Sequence, residues 1–255
     1  MTTVDTEALE AKVKQMYRLV AEQPHGAYHF EMGRLLAERL GYDPAQLDRV
    51  PAAAVESFAG VGYIFGLAQL VDGERVIDLG SGSGMDACYA AQLVGSRGRV
   101  VGIDFTPQQL RRARLAAGAG LDQVEFREGR IESIPAGDDS FDCVISNGVI
   151  NLSPHKARVF SEVARILRPG GRLAIADIVS ERQLADSIVG DADLWAACIG
   201  GAAQQDAFQQ AIEDAGLTLT AMWRNNYQFI SQRARDASAK YGVRSISLLA
   251  TKSNR

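Results

Sequence analysis

The chain has 255 residues, is 47% hydrophobic and carries a net charge of −4. It is long enough for one large core, or a core with an appendage, and its acidic balance gives no general attraction to nucleic acid or to an anionic membrane. No stretch approaches 18 uninterrupted apolar residues and MTTVDTEALEAK lacks a basic-then-apolar leader pattern, so a cytosolic protein is expected.

In chain order, residues 5–23 and 28–40 read as helices, the first with Leu9, Val13, Met16 and Leu19 at helical spacing. GYDPAQLDRVP is a turn-rich loop, and AAAVESFAGVGYIFGLAQL follows as a helix with a glycine-punctuated tail. From residue 74 the pattern changes to strands alternating with helices: ERVIDLG, GSGMDACYAAQLVG, GRVVGID, TPQQLRRARLAA, VEFREG and FDCVISN. Thr106 suits an N-cap, Pro107 the first helical position, and Gln109 completes a capping box. Ser153 and Pro154 start a helix running through Leu167, and RPGG turns into a fifth strand, RLAIADIV. A helix near 206–215 is stopped by Gly216, and LTLTAMWRNNYQFI and VRSISLLATKS read as two closing strands with QRARDASAK helical between them.

Alternating strands and helices imply a parallel sheet buried on both faces, which explains why VIDL, VVGI, CVI and LAIA are apolar without alternation. The expected fold is α/β, a Rossmann-like seven-stranded, mostly parallel sheet over 71–255, with residues 1–70 as a helical cap. Cys88, Cys143 and Cys198 are far apart and form no CxxC pair, so neither a disulfide framework nor a cysteine zinc site is expected.

Between the first strand and its helix lie Gly80, Ser81, Gly82 and Gly84, in the spacing GxGxG rather than the dinucleotide spacing GxGxxG. Asp78 precedes the loop, where a carboxylate disfavours a pyrophosphate and favours a cationic amino group. Asp104 ends the second strand, twenty residues past Gly84, where it can accept ribose hydroxyls. A ligand with a ribose and an amine but no phosphate fits S-adenosylmethionine. After the third strand, the Ile131 amide and the Glu132 carboxylate are placed to read an adenine edge.

The segments DLGSGSGMD, VVGIDFTPQQL, VEFREGRIESIP, SFDCVISNGVINLSP, ILRPGGRLAIADIV and LWAACIGGA, together covering about 74–215, resemble class I S-adenosylmethionine-dependent methyltransferases and, more narrowly, the arsenite methyltransferase family. The resemblance implies that Asp78, Gly80 and Gly82 line the methionine end of the cofactor. It also implies that Asp104 binds ribose with Phe105 beside adenine, and that Asn147 holds the methionine moiety through its backbone carbonyl or its amide. The family pattern has three arsenic-binding cysteines, at positions that carry Val61, Gly148 and Cys198 here. Trivalent arsenic is soft and takes three thiolates, so two missing thiols point away from arsenite and towards a hydrophobic organic acceptor.

Tyr63, Gly148, Asn151, Trp195 and Cys198 are the expected substrate residues, and Phe58 and Phe65 are further aromatic candidates for the wall. The polar cluster PHGAYHFEMGR supplies His25, Tyr28, His29 and Glu31 as candidates for a lid and general base, with Tyr28, Glu31 and Arg34 in helical register. No metal is predicted. The expected partner is a small molecule, with no nucleic acid and no membrane, and the protein a monomer or homodimer. Three rival readings are arsenite S-methylation through Cys198, a nucleic-acid methyltransferase, and a cofactor-binding protein without catalysis. The nucleic-acid reading lacks the expected Asn/Asp-Pro-Pro-aromatic tetrapeptide, because NGVI stands in its place.

Overall fold

Residues 76–79, 100–103, 143–145 and 173–176 are apolar on both faces, so they are stable as strands only with helices over each side. The structure, a computed structural model, describes residues 6–254 apart from 27, 29 and 197. Helices α1 (Thr6–Glu22), α2 (Arg34–Leu40), α3 (Pro44–Leu47), α4 (Ala52–Glu56) and α5 (Phe65–Ala68) precede β1 (Arg75–Leu79). Then come α6 (Met85–Val94), β2 (Arg99–Asp104), α7 (Pro107–Ala117), β3 (Val124–Glu128), β4 (Phe141–Asn147), α8 (Lys156–Ile166) and β5 (Leu167–Ser180). The chain ends with α9 (Asp186–Val189), α10 (Ala192–Ala196), β6 (Ala203–Gln204), α11 (Gln205–Asp214), β7 (Leu217–Arg224), α12 (Gln232–Tyr241) and β8 (Arg244–Lys252).

The strand order is β3-β2-β1-β4-β5-β8-β7, with two-residue β6 paired to β5 off this path. β1 to β5 are mutually parallel, and β8 runs antiparallel to β5 and β7. The order reverses between β1 and β4, and a doubly wound sheet opens a ligand crevice at the carboxyl ends of such strands. One face of the sheet buries Val76, Cys143 and Ile145 together with Cys88 and Tyr89 of α6 and Leu36, Leu47, Val55 and Ile64 from the N-terminal segment. The other face buries Ile77, Leu79 and Val144 against Val159, Phe160 and Val163 of α8 and Phe208 of α11. Phe160 and Phe208 meet edge to face at 5.2 Å; truncating either to alanine removes about 3–5 kcal/mol.

Several local expectations are corrected. The sheet has an eighth strand, the short β6. The second helix starts at Arg34, not at residue 28, because Gly33 has φ +81, and residues 28 and 30–32 are not helical. Tyr28 and Glu31 therefore do not share a helical face with Arg34. The segment from Ala52 to Leu70 is two short helices, broken at 57–64 where Gly60 and Gly62 bring the backbone against other side chains. In α1 the buried stripe is Leu9, Val13, Val20 and Ala21, while Leu19 is 39% exposed. Thr106 is the N-cap of α7 but makes no side-chain cap bond. Gln109 instead bonds to Ser83 Oγ at 2.5 Å and to the Tyr17 carbonyl at 2.9 Å, so tertiary partners replace the capping box. α8 begins at Lys156, with Ser153 Oγ accepting from His155 N at 3.1 Å. RPGG lies inside β5, with Gly170 at φ +74, and β7 ends at Arg224 because Asn225 turns to bond Ser245 Oγ at 2.8 Å.

Candidate active site

The loop from β1 to α6 folds as it does because glycine permits it. Gly80, Gly82 and Gly84 have φ of +72, +51 and +88. A Cβ on Gly80 would stand 2.4 Å from Val149 Cγ1 and one on Gly84 2.5 Å from Phe126 Cζ, whereas at Gly82 the space in front is open. Gly80 N and Ser81 N donate to Ile103 O at 2.8 and 2.9 Å, which moors the loop to β2. Asp104, at the end of β2, accepts from Gly82 N at 3.0 Å and from Thr106 N at 2.8 Å. Burial raises its pKa, and these backbone donors hold the rise back. A carboxylate has about four acceptor positions, so Asp104 keeps capacity for a ligand's hydroxyls.

Two further carboxylates stand beside the loop. Asp78, on β1, is 2% exposed, and its Oδ2 has no protein partner. Burial, with the neighbouring charges of Asp86 and Asp104, pushes its pKa well up. Asp86, in the first turn of α6, is also buried, and its pKa is pushed up to about 6 by desolvation, against the hydrogen bonds of Tyr42 and Asn147. Ser81 Oγ and Thr106 Oγ1 are likewise buried without a partner. Orphaned polar atoms grouped in this way call for a ligand.

All of these groups border one cavity that opens to solvent on one side. Every residue assigned to the cofactor from sequence lines it: Asp78, Gly80, Ser81, Gly82, Asp104, Phe105, Ile131, Glu132 and Asn147. Helix α1 crosses the mouth with Glu10, Val13 and Tyr17. Glu10 is ion-paired with Arg130, and Lys14 Nζ lies 5.0 Å from the Phe105 ring centre. Glu132 accepts from Ser153 Oγ at 2.5 Å. Arg112 of α7 anchors the N-terminal segment through the Ala53 and Ala21 carbonyls and Glu56.

Asn147 lines the cavity, but its side chain is engaged by the protein itself. Its Oδ1 accepts from Val61 N at 2.7 Å and Gly62 N at 3.3 Å, and its Nδ2 faces Gly62 O, Asp86 Oδ2 and Tyr42 Oη at 2.9–3.1 Å. The side-chain amide is therefore spent within the protein.

The acceptor-side residues divide. Gly148 lines the cavity with φ +75, and a Cβ there would stand 3.3 Å from Val61 Cγ1. Cys198 Sγ lies 3.8 Å from Gly148 O and 3.9 Å from the Tyr17 hydroxyl, and burial pushes its thiol up to about 12. Positions 61, 148 and 198 thus converge. Tyr63 does not line the cavity; it packs on Tyr42 at 5.0 Å. Asn151 is fully buried, bonding Asp177 through Nδ2 at 2.6 Å, and Trp195 is buried with Nε1 on Val189 O at 2.5 Å. Both support the wall rather than form it. Lys156 Nζ sits over the Trp195 ring at 5.0 Å and bonds the Asn151 and Ser153 carbonyls, which fixes the turn after β4.

Among the described residues, the lid candidates His25, Tyr28 and Glu31 do not line the cavity. His25 is exposed, Tyr28 donates to Gln23 O at 2.9 Å, and Glu31 is ion-paired with Arg39. His29 lies outside the described residues. Among the described residues no group of histidine, cysteine and acidic side chains could hold a metal, and no helix is long and apolar enough to cross a membrane. Sequence reasoning missed Tyr17, Tyr42 and Asp86. Asp86 was legible as an acid opening the helix after GSGSG, whereas Tyr17 and Tyr42 carry no local mark that separates them from core aromatics.

Comparison with known proteins agrees with this geometry. A family model described as a methyltransferase domain matches residues 70–216. An arsenite methyltransferase of Halobacterium salinarum is 42% identical over 181 residues, 71% of this chain and 46% of that protein. The chain therefore spans about half the length of that relative. Methyltransferase GfsG of Streptomyces halstedii is 33% identical over 151 residues, 58% of this chain and 54% of that one. The crystal structure of an arsenic (III) S-adenosylmethionine methyltransferase from Chlamydomonas reinhardtii superposes with a TM-score of 0.64 at 32% identity, covering 88% of this chain and 74% of that one.

Proposed function

This chain belongs to the class I S-adenosylmethionine-dependent methyltransferases, among relatives of the arsenite methyltransferases, and from that premise we propose that it methylates a small, hydrophobic organic molecule. The residues fit the cofactor. The partnerless Asp78 Oδ2 suits its ammonium group, Asp104 its ribose hydroxyls, Phe105 with Ile131 and Glu132 its adenine, and the bare backbone of Gly80 and Gly82 its methionine chain. When bound, S-adenosylmethionine supplies a methyl group on a sulfonium that is already a good leaving group.

The chain's own residues then have to align the acceptor and exclude water. Positioning of this kind can supply up to about 7–11 kcal/mol. Helix α1 and the 57–60 segment close over the cavity, with Tyr17 and Phe58 facing the strand tips. Asp78, Asp86 and Asp104 gather three carboxyl groups at the cofactor end, while Gly148 and Val149, with Val61 packed against Gly148, leave the acceptor end apolar. We assign residues 1–70 as the cap and 71–255 as the cofactor-binding domain, working in the cytoplasm on a free small molecule, as a monomer or homodimer.

The observation that carries the choice of acceptor is the convergence of Val61, Gly148 and Cys198, where a single thiol remains. Cys88 and Cys143 do not replace the other two: both are fully buried between α6 and the sheet, with thiols pushed to about 12 by burial. The test is consumption of S-adenosylmethionine with a panel of organic acceptors and, separately, with arsenite and a reducing thiol. Turnover with an apolar phenol, amine or thiol is expected. Arsenite-dependent turnover that disappears in Cys198→Ser would reverse the assignment.

A further inference from the structure

Segment 59–62 connects α4 to α5 across the strand tips, and side chains grip it from two directions. On the cavity side Asn147 accepts from Val61 N and Gly62 N and donates to Gly62 O. On the far side Ser245 Oγ donates to Val61 O at 2.6 Å, and Asn225 Nδ2 does so at 3.4 Å. The fit is tight: a Cβ on Gly60 would stand 2.6 Å from Asn147 Nδ2, and one on Gly62 2.3 Å from Asn225 Nδ2.

Asn147 is itself held. Tyr42 Oη donates to Asp86 Oδ1 at 2.6 Å, and Asn147 Nδ2 lies 3.1 Å from Asp86 Oδ2 and from Tyr42 Oη. A side-chain amide can turn end for end about its last bond, exchanging its donor for its acceptor. An ionised carboxylate only accepts, so Asp86 fixes the end that faces it as the NH₂ group. That choice directs Oδ1 at the Val61 and Gly62 amides. Tyr42 cannot easily seek another partner, because its ring is 2% exposed and packed edge-on against Phe58, Tyr63, Phe65 and Tyr89 at 5.0–6.0 Å.

Resting on the reading of the cavity as the S-adenosylmethionine site, we propose that Tyr42 and Asp86 are positioning residues that couple cofactor occupancy to the acceptor wall. They orient Asn147, Asn147 sets Val61, and Val61 stands opposite Gly148, where the acceptor is held. Asp86 and Asn147 border the cavity beside Asp78, whose Oδ2 is free for the cofactor's ammonium group. A cation there favours the ionised form of Asp86, and hydrogen bonds to an ionised acceptor are shorter and stronger. The clamp on segment 59–62 therefore tightens when the cofactor end fills. Cofactor and acceptor binding are coupled through this one amide.

The experiment is hydrogen exchange of a peptide covering residues 58–64, with and without S-adenosylhomocysteine, alongside calorimetric titration of the same samples. In the wild type S-adenosylhomocysteine slows exchange there. In Tyr42→Phe, which keeps the ring packing, and in Asp86→Asn, exchange is about tenfold faster, as expected for one lost charge-assisted bond, and the dependence on S-adenosylhomocysteine is gone. In Ser245→Ala exchange is also faster, but S-adenosylhomocysteine still slows it, because only the far-side grip is lost. If S-adenosylhomocysteine binds the wild type yet leaves 58–64 unchanged, or if both variants respond as the wild type does, the coupling is refuted and the cofactor reading stands. If calorimetry detects no binding to the wild type, the cofactor reading fails first, and the coupling with it.

Discussion

The tips of β1 and β2 and the tip of β4 border the same cavity but are built in opposite ways. At β1 and β2 the groups that face a ligand lie within 27 residues of one another, from Asp78 to Asp104, and the loop between them is moored by its own neighbouring strand. At β4 the lining residues Tyr17 and Gly148 are backed by Val61 and Cys198, and the nearby amide hub is held by Tyr42 and Asp86 from elsewhere in the chain. A short-range site depends on local turns, and a long-range site on how whole elements pack. The first can stay constant while the second is altered by two side chains.

Five variants break or sharpen that contrast. The largest effect is expected from Asp104→Ala, which removes a buried carboxylate poised for two ribose hydroxyls. Calorimetry should give S-adenosylmethionine binding about a thousandfold weaker, ~4 kcal/mol, from two hydrogen bonds to a charged group. Unchanged affinity would show that the short-range side does not define the cofactor.

Asp86→Asn comes next and is read through pH. The folded-state pKa of Asp86 is raised to about 6, so the folded form holds a proton that the unfolded chain gives up near pH 4. The stability this contributes is full below about pH 4 and is lost as pH rises towards 6, some 3 kcal/mol in all. Facing Asp86 are the Tyr42 hydroxyl, the Asn147 amide and the Asp78 carboxylate. Thermal unfolding of the cofactor-free protein from pH 4 to 7 should show Asp86→Asn gaining on the wild type as pH rises. Parallel curves would remove Asp86 from the titrating set. Wild-type affinity for the cationic cofactor should strengthen over the same window.

Tyr17→Ala opens the long-range side. Alkylation of Cys198 by iodoacetamide should quicken about tenfold, because the phenol that covers Sγ is gone, while the fully buried Cys88 and Cys143 stay silent. Equal rates would mean that α1 does not screen the acceptor end. The smallest effects are expected from His25→Ala and Glu31→Gln. Neither lines the cavity, so cofactor affinity should not move, and the lost Glu31–Arg39 pair should change stability by less than about 1 kcal/mol.

Much of the fold was legible because it rests on local chemistry. Uniformly apolar strands, glycine-opened helices and Asp104 at a strand end each identify themselves within a few residues. What misled was polar residues whose partners lie far along the chain. Thr106 and Gln109 have the spacing of a capping box, yet Gln109 is taken by Tyr17 and Ser83. PHGAYHFEMGR has the composition of a catalytic cluster, yet its tyrosine and glutamate are engaged by Gln23 and Arg39.

By itself, then, the sequence determined the alternating α/β sheet, the crevice at the end of β1 and the acids that border it, because turns, strands and a glycine loop are set by neighbours in the chain. It also determined that two of three thiols are absent. Only the tertiary structure decided that Val61, Gly148 and Cys198 meet, that Tyr17 lies against Cys198, and that the Asn147 side chain serves the protein's own backbone. A side chain's partner is fixed by packing between distant elements, and no pattern along the chain encodes which donor reaches an amide first.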